Sequence, residues 1–406
     1  MLNVILFIIA AITLVLMFHP RLSKSESWQA TLTPLSSIIG SGFLVIAPLL
    51  ASVVGDNSPL AVSAIVILAY AIGSVIRFNI LHAEPYLHDK KGHPAMYEVE
   101  LFANITLSLA YVTAVAFYLS LLSTFLLHYA GFGDQPIIEK SITSIIIVFI
   151  AITGFRRGLG GLEKLESYSM SLQLSIVVAL ITGLAVYNFD FIQAQGTLQF
   201  DYKDRDWITQ ACILGGILLV VQGFETSRFL GSRYSAEVRV KTMKRAQLIS
   251  GALYVIAVVA LLPIVQHINL DHIQVADIVE ATGLAATALP LMLIVAAIMS
   301  QFSAAVADTV GAGCLVNENC NGRISNNSCY FAVSLCAIFL VWTADLLEII
   351  SFASRAFALY YLLQCVLAII VSYHYHSHKW RHMHRAYFSF IGSILALIVL
   401  FAIPAE

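Results

Sequence analysis

Apolar residues run through this chain in long blocks, separated by short segments that hold most of the charge. A stretch of roughly 20 apolar residues crosses the hydrocarbon core of a bilayer as one helix. Twelve such spans are predicted, at about 2–18, 30–54, 59–81, 99–129, 139–155, 166–187, 207–231, 245–267, 284–312, 328–344, 347–373 and 386–404. No connecting segment is long enough to hold a folded soluble domain, so the expected architecture is one all-α integral membrane domain. Two spans are interrupted near their middle by glycine-containing polar tetrads. The first interruption reads Ser36-Ser37-Ile38-Ile39-Gly40-Ser41-Gly42-Phe43, and the second Val221-Gln222-Gly223-Phe224-Glu225-Thr226.

An unpaired backbone N–H or C=O is expensive inside a bilayer. An opened helix therefore survives only where protein or a water-filled cavity satisfies it. Glycines and serines in membrane helices usually serve close packing. Here they occur at matching places in two halves, which is the sequence sign of a solute site between broken helices. If the first span is accessory, the interrupted helix at 30–54 opens a set of five ending near 187. The helix at 207–231 then opens a second set of five ending near 373. Five is odd, so the second set enters from the opposite side: an inverted repeat of five plus five is expected. The domain reading is an accessory helix and first loop (1–29), a core (30–373, repeats 30–187 and 207–373), and a His-rich loop with a last helix (374–406).

Composition agrees with the pattern: 59% of the 406 residues are hydrophobic and only 11% charged, against about 25% charged in soluble chains. The net charge of −2 carries less information than its placement. With loops assigned alternately, one side receives Arg21, Lys24, Arg77, Lys90, Lys91, Arg156, Arg157, Lys164 and the basic run from Arg228 to Arg245. The other side holds only Lys140, Lys203 and Arg205. The positive-inside rule then puts both termini outside, in a plasma or inner membrane. Six cysteines form no C-x-x-C pair and are expected to be free thiols.

The segment Ile38-Ile39-Gly40-Ser41-Gly42-Phe43 resembles the first core helix of the amino acid–polyamine–organocation (APC) superfamily. Ala83-Glu84-Pro85-Tyr86 with Gly92-His93-Pro94 resembles the end of its second, and Gly223-Phe224-Glu225 with the basic run after it resembles its sixth. The resemblance covers about 30–373. It implies a LeuT-type fold and secondary transport of amino acids or related small amines by alternating access, with symport or antiport open. Two features depart from that pattern: the N-terminal helix, and Gly231-Ser232-Arg233-Tyr234 where an acid-Asn-Pro pattern often follows the sixth helix.

Solute is expected between the breaks, at Ile39, Gly40, Ser41, Gly42, Gln222, Gly223, Phe224 and Glu225. The helix starting after the first break presents free N–H groups and a positive dipole end, suited to an α-carboxylate. Carbonyls before the break would receive the ammonium. Glu225 is an intramembrane acid, either functional or a cap on freed N–H groups. Ser300 and Ser303, with Asp308 about one turn below, are candidates for ion coupling. Sodium would favour the two hydroxyls with carbonyls near Ile38. Protons would favour Glu225 or Asp308, and that reading is preferred. Arg355 falls about 12 Å inside its span at 1.5 Å per residue, so an ion pair with Asp308 or Glu225, or a solute contact, is expected.

Other classes fit less well. There is no Gly-Lys dipeptide, hence no phosphate-gripping loop for a nucleotide-driven pump. Ile39 stands where an intramembrane serine protease needs glycine, so no enzyme is expected. No cofactor, metal or nucleic acid is implied. The histidines at 374, 376, 378, 382 and 384 read as a solvated loop rather than a metal site. A transport-inactive nutrient sensor using the same pocket is the alternative; the partners are a small solute, a coupling H+ or Na+, and lipid.

Overall fold

The computed structural model describes residues 1–40, 42–89, 92–132, 135–202, 205–270, 275–320, 322–344, 346–374 and 381–402. Its main helices are α1 (Leu2–Met17), α2 (Glu26–Ile38), α3 (Gly42–Val54), α4 (Ser58–His82), α5 (Pro94–Tyr129) and α6 (Pro136–Gln193). They continue as α7 (Trp207–Ile217), α8 (Ala236–Val265), α9 (Leu289–Asn319), α10 (Asn326–Thr343), α11 (Leu346–His374) and α12 (Arg381–Phe401). Among the described residues there is no strand. Among the described residues, eight helical stretches are long and apolar enough to cross a membrane, and α1 and α7 are shorter apolar helices.

Both interruptions read from the sequence are present. α2 stops at Ile38 and α3 starts at Gly42, so the first span is two half-helices. The second is broken differently from expectation. α7 passes through a 3₁₀ turn, Leu218–Val221, and the chain resumes after Gly223 as a second 3₁₀ run, Phe224–Leu230, rather than as an α-helix. The cause is local. The Thr226 hydroxyl (2.7 Å) and N–H (3.3 Å) both bond the Gly223 carbonyl, fixing the tighter i to i+3 spacing. Gly223 itself sits at φ +113°, a conformation glycine adopts without steric penalty.

At 58 residues α6 is far too long for one crossing, and it bends at Gly158 (φ +59°, ψ −157°), a conformation essentially confined to glycine. The predicted spans 139–155 and 166–187 are its two arms. The core is built around α9, which is buried on every side from Ser303 to Leu315, and around α2, buried throughout Ala30–Ile38. Both stretches bury polar side chains as well as apolar ones, among them Thr33, Ser36 and Ser37 on α2 and Ser303 and Asp308 on α9. Small residues permit the close packing: a Cβ added to Gly311 would lie 2.9 Å from the Tyr111 ring. α5 packs on α9 and α11, α6 on α9, and α8 on α4 and α2, while α1 lies outside the core against α6.

Candidate functional site

The two breaks meet in the core. A Cβ built on Gly223 would fall 2.4 Å from Ser37 Oγ and 2.6 Å from the Ser37 carbonyl carbon, so α2 and the second break touch directly. Gly42 does the same from the other side, its added Cβ lying 1.8 Å from Val220 Cγ1. Gly40 approaches α9, at 3.0 Å from Ala304 Cβ. Thus Ile39, Gly40, Gly42, Gln222, Gly223, Phe224 and Glu225 are brought together; Ser41 lies outside the described residues.

Opening α2 frees carbonyls, and side chains from three helices satisfy them. Tyr254 on α8 donates to both the Ile38 carbonyl (2.8 Å) and the Val220 carbonyl (3.1 Å), tying one break to the other. Gln173 Nε2 on α6 donates to the Ile39 carbonyl at 2.8 Å. Ser300 Oγ on α9 lies 2.7 Å and 2.8 Å from the Ile39 and Gly40 carbonyls. Ser303 turns instead to its own helix, bonding the Ser300 carbonyl at 3.1 Å. These carbonyls accept hydrogen bonds from side chains of α6, α8 and α9.

Two carboxylates face this junction. Glu225, fully buried, accepts from Tyr361 OH (2.6 Å), Gly223 N–H (3.1 Å) and Tyr111 OH (3.3 Å). The capping role foreseen for it is in place, and two tyrosines reinforce it. Asp308, also fully buried, accepts from Ser37 Oγ at 2.7 Å through one oxygen, while its other oxygen has no partner. The two acids are within electrostatic range of each other. Aromatic rings wall the site: Phe224 stacks on Tyr361 with centroids 5.3 Å apart, and Tyr111 meets Phe357 edge-on at 5.8 Å.

Arg355 corrects an expectation. It is exposed on α11, and neither Glu225 nor Asp308 pairs with it. The reason is helical phase: at 100° per residue Arg355 points about 200° from Phe357, whose face is the buried one.

Among the described residues three arginines are buried instead, Arg77, Arg228 and Arg239, and Arg228 lies in the 3₁₀ run. Its guanidinium contacts Glu100 at 2.9 Å and Glu84 at 3.5 Å, and donates to Gln364 at 2.6 Å. Arg239 on α8 grips Glu84 through two bonds, 3.1 and 2.7 Å, and also reaches the Arg228 carbonyl. This network joins the turn after α4 to α5, α8 and α11. Closer to the surface, Arg233 pairs with Glu163.

Sequence reasoning overlooked Tyr111, Tyr361, Tyr254, Gln173 and Glu166. Gln173 and Glu166 did carry a signal, as polar residues in or at the edge of the apolar block 166–187.

A helical membrane protein with two broken helices meeting in its core, each break lined by polar side chains from its neighbours, has the architecture of a solute transporter. The chain belongs to the APC superfamily: a family model described as APC superfamily transporter matches residues 20–402. An uncharacterized protein of Aquifex aeolicus (strain VF5) is 41% identical over 398 residues, covering 97% of this chain and 95% of that protein. Among solved structures, a Na+-coupled sialic acid symporter in its substrate-bound outward-open state aligns with a TM-score of 0.55 and 14% identity, over 100% of this chain and 98% of that one. The protein is therefore a multi-pass membrane transporter with the fold of that symporter.

Proposed function

We propose that the protein is a secondary active transporter of amino acids or related small amines, binding solute between the two breaks and working by alternating access. The observation that carries this reading is the meeting of both breaks beside two buried carboxylates and an aromatic wall. An ammonium group suits the Glu225 and Asp308 carboxylates and the faces of Phe224 and Tyr361. A carboxylate suits the N-terminus of α3, whose first N–H groups have no partner within the helix. The reading includes twelve crossings with both termini outside and an inverted repeat of residues 30–187 and 207–373. The two arms of α6 and the paired breaks support it.

Coupling is assigned to protons. Three carbonyls at the first break take donors from Tyr254, Gln173 and Ser300, and two acids lie within reach of the junction. A thermal-shift screen of purified protein against amino acids, amines and small anions identifies the ligand through linkage. Uptake into liposomes under separate sodium and pH gradients then tests the rest. Binding without flux would make the protein a sensor. Uptake driven by sodium alone, and unchanged in Glu225→Gln and Asp308→Asn, would reject proton coupling.

A further inference from the structure

Below the first break, toward the face rich in Lys and Arg, α6 buries a carboxylate that the solute site does not use. Glu166 is 1% exposed, and only one of its oxygens is bonded, by Thr33 Oγ1 at 3.1 Å. Its other oxygen faces the fully buried hydroxyl of Ser36 on α2, at a separation longer than a normal hydrogen bond. One turn further along α2, Ser37 bonds Asp308, whose second oxygen is without a partner. Three hydroxyls on one short stretch, Thr33, Ser36 and Ser37, thus stand between two buried acids. So many incomplete hydrogen bonds in a packed core need a physical reason.

The surroundings are mostly neutral. Thr33 and Ser36 face Glu166 from α2, and Tyr234 covers it on the basic side, its own hydroxyl buried and without a partner. Asp308 acts on it electrostatically from α9. On its own helix the nearest charges are Glu163, engaged by Arg233, and Lys164. No described cation bonds Glu166, so a structural ion pair does not account for its burial.

We propose that Glu166 is a second proton site, joined to Asp308 through Ser37, Thr33 and Ser36, and that this hydroxyl path carries the coupling proton between the solute junction and the basic face. The proposal rests on the proton reading of coupling. In the step, the Ser37 hydroxyl, which donates to Asp308 in the structure, turns its hydrogen toward Thr33 and Ser36, and the Asp308 carboxyl gives its proton to Ser37 Oγ as Ser37 releases its own. The Glu166 carboxylate takes up the last proton, leaving Asp308 ionised and Glu166 neutral. Ser37 and Thr33 stand at i and i+4 on one face of α2, roughly 5–6 Å apart at Cβ. The path requires one water between them, a distance a single water can span.

The test uses infrared difference spectroscopy on the full chain in lipid nanodiscs during a pH jump, with no solute added. Carboxylic C=O bands are assigned through Glu166→Gln and Asp308→Asn. The path requires that Glu166 changes protonation within the jump and that Glu166→Gln slows the Asp308 band at least about ten-fold. Thr33→Val with Ser36→Ala should slow it comparably while Glu166 still titrates, and this variant serves if Glu166→Gln does not fold. A Glu166 band that never changes, or an Asp308 rate unaltered by these variants, overturns the proposal. Because no solute is involved, that failure leaves the solute assignment standing. A failed ligand screen, conversely, leaves the proton path standing.

Discussion

Replacing Gly223 by alanine tests whether the two breaks are truly in contact. Two penalties combine. A non-glycine residue at φ +113° carries left-handed strain of about 1–2 kcal/mol. The added Cβ also meets Ser37 at 2.4 Å (Oγ) and 2.6 Å (carbonyl carbon). Since the second is backbone, no rotamer change relieves it, and overpacking of this kind costs about 1–3 kcal/mol. Together they give a loss of about 2–5 kcal/mol, which for a chain this long lowers the melting temperature by roughly 2–6 °C. The assay is intrinsic to the protein: Cys314, Cys329 and Cys365 are buried and free, so a thiol-reactive dye reports unfolding in detergent. Gly160→Ala is the control, because its Cβ meets nothing within 4 Å and no positive φ opposes it. Gly160→Ala should be neutral or slightly stabilising. A melting temperature for Gly223→Ala no lower than that of the control would refute the contact.

Gly42→Val and Gly40→Val should each abolish binding of the ligand found by screening, read by thermal shift, since the new side chains meet Val220 and Ala304; unchanged binding in both inserted variants would reduce the first break to a packing seam. Arg228→Met strands Glu100 and one side of Glu84, so thermal unfolding should show a loss of about 3–5 kcal/mol. Arg239→Lys loses the two-bond grip on Glu84 and should destabilise measurably, whereas a surface pair would not. Cysteines placed at Arg157 and Arg245 should label from the same side of the membrane; labelling from opposite sides would overturn the twelve-crossing topology.

The elements visible in the sequence are those that periodicity and composition encode locally. The blocks, the two tetrads and the acid at the second break depend on neighbours a few residues away, and both interruptions are present in the structure. The donors to those breaks are not local. Tyr361 and Tyr111 lie 136 and 114 residues from Glu225, and Gln173 lies 134 from Ile39. A sequence shows that a tyrosine is present in an apolar block, not which face it occupies. Arg355 illustrates the same gap: its phase relative to the buried face was not readable. The 3₁₀ form of the second half-helix was equally hidden, because it is fixed by how Thr226 bonds Gly223.

That 3₁₀ run has a mechanical consequence. In a 3₁₀ helix residues i and i+3 eclipse one another, with about 2.0 Å of rise per residue. Glu225 and Arg228 therefore occupy one edge of the same short rod, about 6 Å apart along its axis. One end holds the carboxylate beside the breaks; the other is pinned by Glu84, Glu100 and Gln364. A displacement of Glu225 of even a fraction of an ångström is delivered to Arg228 with no hinge between them to absorb it. The rod acts as a lever, and the pins at its far end set the force required to turn it.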